Sequence, residues 1–397
     1  MRKSTFRQHA VIHIVLITLG VFFLMPFAWM VSTSLKPVEE TQSAQPEWIP
    51  RKQEEHTYLD KNDPLYETTH QGNDVKGSIV ARGADGDVSL KISEPQAFSG
   101  VTIHKNVKDL KVVDRTSNVV TVPTKDGPQK AFVISREADE TTVRLLSNNE
   151  TLTVRSEQAK PVYHVAPQWH NYADAITYGE QSVGYIPFLE YARNTLFVCI
   201  LVVAGTVVSN SIVAYSFARL RWRGRDVAFG LTLATMMVPF PVLMVPIFSL
   251  FVKMDWVGTF RPLWVPAWFG SAFSIFLLRQ FFLGIPFELS EAAKIDGCSE
   301  WRIFTRVIAP LAKPAIAVAA LFAFMGAWND FLGPLVYLHS QDQFTLSLGL
   351  QFYRSQQGTS WHLLMAASTV VVAPVIVLFF FTQRLFIRGI AATGLKG

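Results

Sequence analysis

The chain has 397 residues, of which 50% are hydrophobic, 13% aromatic and only 17% charged, and its mean hydropathy is positive. That balance excludes a purely soluble globule and points to a membrane protein carrying a soluble portion. The formal charge is +5, but the basic residues flank apolar runs instead of forming one patch, so they read as topology signals and not as a nucleic-acid surface.

Taken in order, residues 1–36 hold an N-terminal tail and a first apolar run, Val11–Val31. It is too long for a removed signal peptide and lacks a small-residue cleavage pattern, so it reads as a retained span. Residues 37–73 are expected to be a linker, with a polar stretch over Arg51–Asn73. Residues 74–167 are expected to form an inserted β-rich domain, a sandwich or small barrel. Its short alternating runs are Val88–Ile92, Val101–His104, Leu110–Val113, Val119–Val122, Ala131–Ser135, Thr142–Leu146 and Thr151–Val154, broken by Asp-Gly, Asn-Asn and Pro turns.

Residues 168–397 hold five more runs near the length of roughly 20 residues that a helix needs to cross a bilayer. They are Tyr191–Ala218, Val227–Phe251, Leu263–Phe282, Ala315–Tyr337 and Leu363–Phe381. Prolines 26, 239, 241, 246, 266, 334 and 374 fall within these runs, which predicts kinked helices packed in a bundle. One side of the six runs carries fifteen basic residues, among them Arg219, Arg221, Arg223 and Arg225, against Lys253, Arg261 and Arg354 on the other. This bias predicts cytoplasmic termini and an extracytoplasmic 37–187 segment. The four arginines read as anchors at anionic lipid.

The most informative stretch is a polar loop, 284–313, on the cytoplasmic side. Glu291-Ala292-Ala293-Lys294-Ile295-Asp296 is good helix former, Gly297 interrupts it, and Glu300–Ile308 resumes a helical pattern. Trp301, Phe304, Ile308 and Leu311 recur at three- and four-residue steps, which predicts one shared face. Adjacent Ala292 and Ala293 let another surface approach closely, Glu291 offers a charge to a basic partner, and Gly297 permits a sharp bend. Asp296 has two readings, a cap for the helix starting near Ser299 or a partner contact.

Trp328, Asn329 and Asp330 lie in the run Ala315–Tyr337. An ionisable group facing lipid costs about 2.5–3.5 kcal/mol or more, so Asp330 is expected to face the bundle interior or a wet cavity. Two roles fit Trp328, Asn329 and Asp330: a polar and aromatic site on a pathway through the bundle, or a hydrogen bond between subunits. Cys199 and Cys298 fall in a span and a cytoplasmic loop and are not expected to pair. The histidines are scattered without metal spacing. No GxxxxGK[ST] phosphate loop occurs, so no cofactor is expected on this chain, and it is not expected to be an enzyme.

The order EAA (291–293), DG (296–297) and IAP (308–310) closely resembles the coupling loop of binding-protein-dependent ABC importer permeases. So do Asn194-Thr-Leu, Ala214-Tyr-Ser-Phe-Ala-Arg-Leu-Arg, Met237-Val-Pro-Phe-Pro, Trp328-Asn-Asp-Phe-Leu-Gly-Pro-Leu and the terminal Gly394-Leu-Lys-Gly. Together they are similar to the six-span subunit of the maltose/glycerol-phosphate branch, in the inner membrane. Pro46-Glu-Trp-Ile-Pro50 and Trp169-His-Asn-Tyr172 resemble two pieces of that family's first outer loop, here parted by residues 51–168. The resemblance implies an all-α polytopic permease fold of the type I importers. It implies as partners a second permease subunit, an ATPase dimer holding ATP and Mg, an extracytoplasmic solute-binding protein, and a sugar or polyol substrate. It implies that Glu291, Ala292, Ala293, Asp296 and Gly297 sit on the ATPase, and that the tail 389–397 can reach between ATPase subunits, unless that tail is a frayed terminus. Two other classes stay open: a self-sufficient transporter or channel using Asp330, disfavoured by the lack of an inverted repeat, and an enzyme in the outer domain, which shows no nucleophile elbow or His-x-x-x-His pair.

Overall fold

The structure is a computed structural model and describes residues 6–41, 47–60, 64–70, 72–83, 87–95, 98–177, 187–355 and 358–394. The chain forms two compact units, Met1–Trp48 with Gln168–Gly397, and Ile49–Pro167.

The unit Ile49–Pro167 is built from β1 (Arg51–Gln53), β2 (Glu55–Tyr58), β3 (Leu65–His70), β4 (Asn73–Arg82), β5 (Asp87–Glu94), β6 (Thr102–Asn106), β7 (Lys111–Val113), β8 (Arg115–Thr124), β9 (Gly127–Arg136), β10 (Glu140–Leu145), β11 (Thr151–Arg155), β12 (Lys160–Pro161) and β13 (Tyr163–Val165). One sheet has the order β6-β5-β4-β3-β7, and a second β11-β10-β9-β8-β12 with β2 also on β8. Each has its own core: Val75, Leu90, Ile92 and Ile103 in the first, and Val120, Val122, Ala131, Val143, Leu145 and Ala159 in the second. The expected single sandwich or barrel is therefore two small sheets with separate cores. Fully burying one such aliphatic side chain contributes roughly 1.5–3 kcal/mol.

Part of the expected linker 37–73 is also corrected, because β1, β2 and β3 lie in it. Their sequences, Arg-Lys-Gln, Glu-His-Thr-Tyr and Leu-Tyr-Glu-Thr-Thr-His, carry little apolar alternation. What makes them strands is the neighbour: β3 lies between β4 and β7, and β2 pairs with β8 from Glu55↔Asn118 to Tyr58↔Arg115. β1 pairs antiparallel with β13, Arg51 opposite Val165, and the Ala166 amide donates to the Pro50 carbonyl at 3.2 Å. The unit thus begins and ends on one two-stranded ribbon.

The helical unit runs α1 (Phe6–Ser34), α2 (Val38–Thr41), α3 (His170–Ile176), α4 (Phe188–Arg219), α5 (Arg225–Ala234), α6 (Phe240–Lys253), α7 (Arg261–Trp264), α8 (Ala272–Gly284), α9 (Glu288–Ile295), α10 (Glu300–Ile303), α11 (Ala309–Leu311), α12 (Lys313–Trp328), α13 (Leu332–Tyr337), α14 (Leu346–Gly349) and α15 (Trp361–Gly394). Among the described residues, four stretches are long and apolar enough to cross a membrane: Val11–Ser34, Phe188–Arg219, Arg261–Gly284 and Trp361–Gln383. The number is six if two bent pairs, Arg225–Met237 with Pro241–Lys253 (102°) and Glu300–Leu311 with Lys313–Trp328 (81°), each count as one. The first bend coincides with Pro239 and Pro241, which remove backbone donors and cannot continue a helix. α1 is apolar on every side and unburied along its most hydrophobic window, as a helix facing lipid must be.

α4 is the hub, packed against α8, α12, α14 and the 3₁₀ turn Val265–Phe269. Gly205 admits that turn, since a Cβ there would lie 2.5 Å from the Trp268 ring. Two apolar clusters sit along α4. Near its start, Phe188, Tyr191 and Cys199 meet Trp328, Leu346, Tyr353, Leu363 and Ala366. Near its end, Ala214, Tyr215, Phe217 and Ala218 meet Leu278 and Phe282 of α8, then Ile303, Phe304 and Ile308.

Polar side chains of α4 satisfy the backbone of neighbouring irregular segments, which a buried chain must do somehow. Asn194 donates to the carbonyls of Asp342 and Phe344 at 2.7 and 3.1 Å, and the Thr195 hydroxyl accepts from the Leu346 amide at 2.8 Å. Fully buried Asn210 accepts from the Ser271 amide at 2.6 Å, just before α8.

Candidate functional site

α9 carries the Glu291-Ala-Ala motif on an eight-residue helix. Its acidic residues Glu288 and Glu291 lie in the first turn and Lys294 in the last, which favours the helix dipole at both ends. The helix closes on Gly297, whose φ of 75° is the left-handed conformation that costs glycine least. The Gly297 amide donates to the Lys294 carbonyl at 3.0 Å and the Cys298 amide to the Ala293 carbonyl at 2.9 Å. This reciprocal pair is a Schellman motif, so the end of α9 is a defined turn. Asp296 sits at the C-terminal cap of α9. The reading of Asp296 as the next helix's cap is thereby corrected: Ser299 occupies that position, with no side-chain cap bond.

Residues 288, 291, 292 and 295 share one helical face, and all four are exposed. Ile295 is 87% exposed. The opposite face is tied down: Ser290 is buried, and Ala293 packs against the cluster around Phe282. A short helix with a pinned back and an acidic–apolar front is suited to a partner's groove.

The second half of the loop departs from the expected stripe. Ile303, Phe304 and Ile308 are buried, while Trp301 and Leu311 are 61% and 49% exposed. A π-helical turn at Phe304–Ile308 adds residues to the turn and rotates the register, so a strict 3.6-residue count fails across it.

Both flanks of α9 are fastened to α4. Upstream, Arg219 is 4% exposed and its guanidinium donates to the carbonyls of Phe282 and Ile285 at 2.7 and 2.6 Å, closing the end of α8. Downstream, the Tyr215 hydroxyl donates to the Glu300 carboxylate at 2.7 Å, and Lys294 of α9 pairs with the same carboxylate at 2.5 Å. Arg219, expected at lipid headgroups, is instead a structural donor; a guanidinium offers several planar donors for such carbonyls.

Trp328, Asn329 and Asp330 are not within a continuous helix. α12 ends at Trp328, Asn329 takes its C-terminal cap, and α13 starts at Leu332. Trp328 is buried, stacked on Phe324, and its indole donates to the Val371 carbonyl at 3.2 Å, so it has no free face for a sugar. Asn329 is exposed and bonds back to the Met325 carbonyl at 2.9 Å. Asp330 accepts from the Gly333 amide at 3.0 Å and so caps α13. Asp330 also lines a largely apolar cavity of about 480 Å³ with Phe251, Trp256, Phe269 and Tyr337. The break that the Asn-Asp pair makes explains why the run Ala315–Tyr337 is interrupted.

The family model described as binding-protein-dependent transport system inner membrane component matches residues 198–392. An arabinooligosaccharides transport system permease protein of Halalkalibacterium halodurans is 38% identical over 204 residues, covering 51% of this chain and 73% of that protein. The chain is a binding-protein-dependent transport permease. The permease also resembles the protein of that name from Bacillus subtilis, at 35% over 53% of the chain and 74% of the relative. A maltodextrin transport system permease protein of Bacillus subtilis is 33% identical over 53% of the chain and 76% of the relative. The match and its apolar helices make the permease a multi-pass inner-membrane protein.

Residues 291–297 and 328–330 fall inside the matched segment of the permease. α9 brings Glu291, Ala292, Ala293, Asp296 and Gly297 onto one short element, whereas Trp328, Asn329 and Asp330 point to three different surroundings. Sequence reasoning missed Ile295 and the Tyr215–Glu300–Lys294 chain. Ile295 was legible as the next residue on the Glu291 face; the chain was not, since its members lie far apart in sequence. Of the tail 389–397, residues up to Gly394 continue α15 and 395–397 lie outside the described residues.

Proposed function

We propose that the permease is one of two membrane subunits of an ATP-driven oligosaccharide importer and receives the power stroke through α9. The observation that carries this is the exposed Glu288–Glu291–Ala292–Ile295 face on a helix whose end is fixed by Gly297. In this reading both bent pairs are single spans, giving six, and both termini and the loop 284–313 are cytoplasmic. Ile49–Pro167 then lies outside as an insert, at positions where a solute-binding protein arrives. The partners are a second permease, an ATPase dimer that holds ATP and Mg, and that binding protein. The chain itself holds no cofactor and does no hydrolysis. A neutral oligosaccharide is the substrate class, because the relatives are named for arabinooligosaccharides and maltodextrin. Asp330 as an ion or proton site is not favoured, since its carboxylate already serves the Gly333 amide.

The test is uptake of a labelled arabino- or maltooligosaccharide into membrane vesicles. Glu291→Lys is expected to abolish ATP-driven uptake while the chain stays inserted and abundant. Normal uptake at equal expression would remove the coupling role of α9.

A further inference from the structure

We propose that Tyr215 and Arg219 are positioning residues for energy coupling: from α4 they clamp the two flanks of α9, so that a displacement of α9 is delivered to α4. The proposal rests on the reading of α9 as the ATPase contact and adds which span receives the stroke, and through which side chains.

The two residues lie four apart on α4, hence on one face. Arg219 holds the carbonyls of Phe282 and Ile285, immediately before α9. Tyr215 holds Glu300, immediately after it, and Glu300 in turn holds Lys294 within α9 itself. α9 therefore cannot shift or tilt without pulling on bonds that end on α4. The Tyr215 hydroxyl is not required for packing. Tyr215 is 5% exposed and its ring packs tilted against Phe304, with centroids 5.1 Å apart, a setting that phenylalanine fills equally. Burying a hydroxyl and a guanidinium is unfavourable unless each is bonded, and here every bond named runs to a flank of α9. α4 also contacts α8 and α12, the helical elements on either side of the loop, so a movement of the loop delivered to α4 reaches the bundle.

A tyrosine hydroxyl bonded to a carboxylate is a charge-assisted bond, stronger than a neutral one. It can bear load while the loop stays solvent-facing.

The experiment uses the assembled complex in proteoliposomes and reads substrate molecules moved per ATP hydrolysed. Tyr215→Phe and Glu300→Gln are each expected to lower that ratio by about tenfold. The double substitution is expected to lower it by no more than either alone, because both break one linkage. The ATPase should still co-purify, and the KM for substrate should stay at the wild-type value while the maximal rate falls. A wild-type ratio in Tyr215→Phe, multiplicative effects in the double substitution, or loss of the ATPase from the complex would each overturn the clamp. Glu291→Lys, run in parallel, separates the two claims: if it leaves both ATPase association and transport intact, the reading of α9 fails, whatever Tyr215 does.

Discussion

Asn171 holds Lys36 across 135 positions of sequence: its side-chain amide donates to the Lys36 carbonyl at 2.9 Å and to the Ser34 carbonyl at 2.8 Å. Around this point the Gln168 amide donates to the Leu35 carbonyl at 2.8 Å, and the Ser34 hydroxyl meets that of Tyr172 at 2.8 Å. The end of α1 and the start of α3 therefore form one joint. Asn171 is 3% exposed, so Asn171→Ala leaves two carbonyls without their partner. The expected loss is about 1–3 kcal/mol, visible as a lower melting temperature of the detergent-purified chain, whereas a surface asparagine such as Asn148 should tolerate the same change.

The unit Ile49–Pro167 has its two ends side by side. Because β1 and β13 pair at the ends of Ile49–Pro167, replacing residues 49–167 by a short Gly-Ser linker has little distance to span. The shortened chain is expected to insert and accumulate as the full chain does. Basal ATPase activity of its complex should persist while stimulation by the binding protein weakens. Unchanged stimulation would remove a docking role for the insert, and failure to accumulate would show that the joint depends on it.

Gly297 is held at a φ of 75°, where a non-glycine residue costs roughly 1–2 kcal/mol. Gly297→Pro fixes φ with the opposite sign and removes the amide bonded to Lys294, so uptake should be lost with the chain still present. Gly297→Asn, which tolerates the left-handed region best, should retain a measurable fraction. Equal uptake in both substitutions would show that the turn does not matter.

Asp330 separates a cap from a proton site. Asp330→Asn keeps an oxygen for the Gly333 amide and is expected to retain uptake. Asp330→Leu loses the cap, about 1 kcal/mol of stability, and should lower both thermal stability and uptake. If Asp330→Asn abolishes uptake while the protein stays as stable as wild type, a titrating carboxylate is needed and the capping account is insufficient.

What the sequence reveals depends on how local its cause is. The turn at Gly297 and the helix before it follow from neighbouring residues, and the alternating strands from Val88 onward follow from period-two burial. β2 and β3 were not legible, because polar segments such as Glu55–Tyr58 become strands only through partners such as Arg115–Asn118. The stripe through Trp301 and Leu311 misled because the π turn at Phe304–Ile308 shifts the register. Arg219 was misplaced for a related reason. It stands in a row of arginines at a helix end, and only the fold brings the carbonyls of Phe282 and Ile285 within its reach. The Asn329–Asp330 pair read as polar groups inside a helix, yet they end one helix and cap the next.

The most direct measurement places a photoactivatable benzoylphenylalanine at Ile295, 87% exposed beside Glu291, and irradiates membranes containing the assembled complex. The account predicts a covalent product in which mass spectrometry identifies the nucleotide-binding subunit, and predicts that Glu291→Lys in the same chain removes it. Products containing only lipid or other membrane helices, with uptake still driven by ATP, would contradict the claim that this face of α9 meets the ATPase.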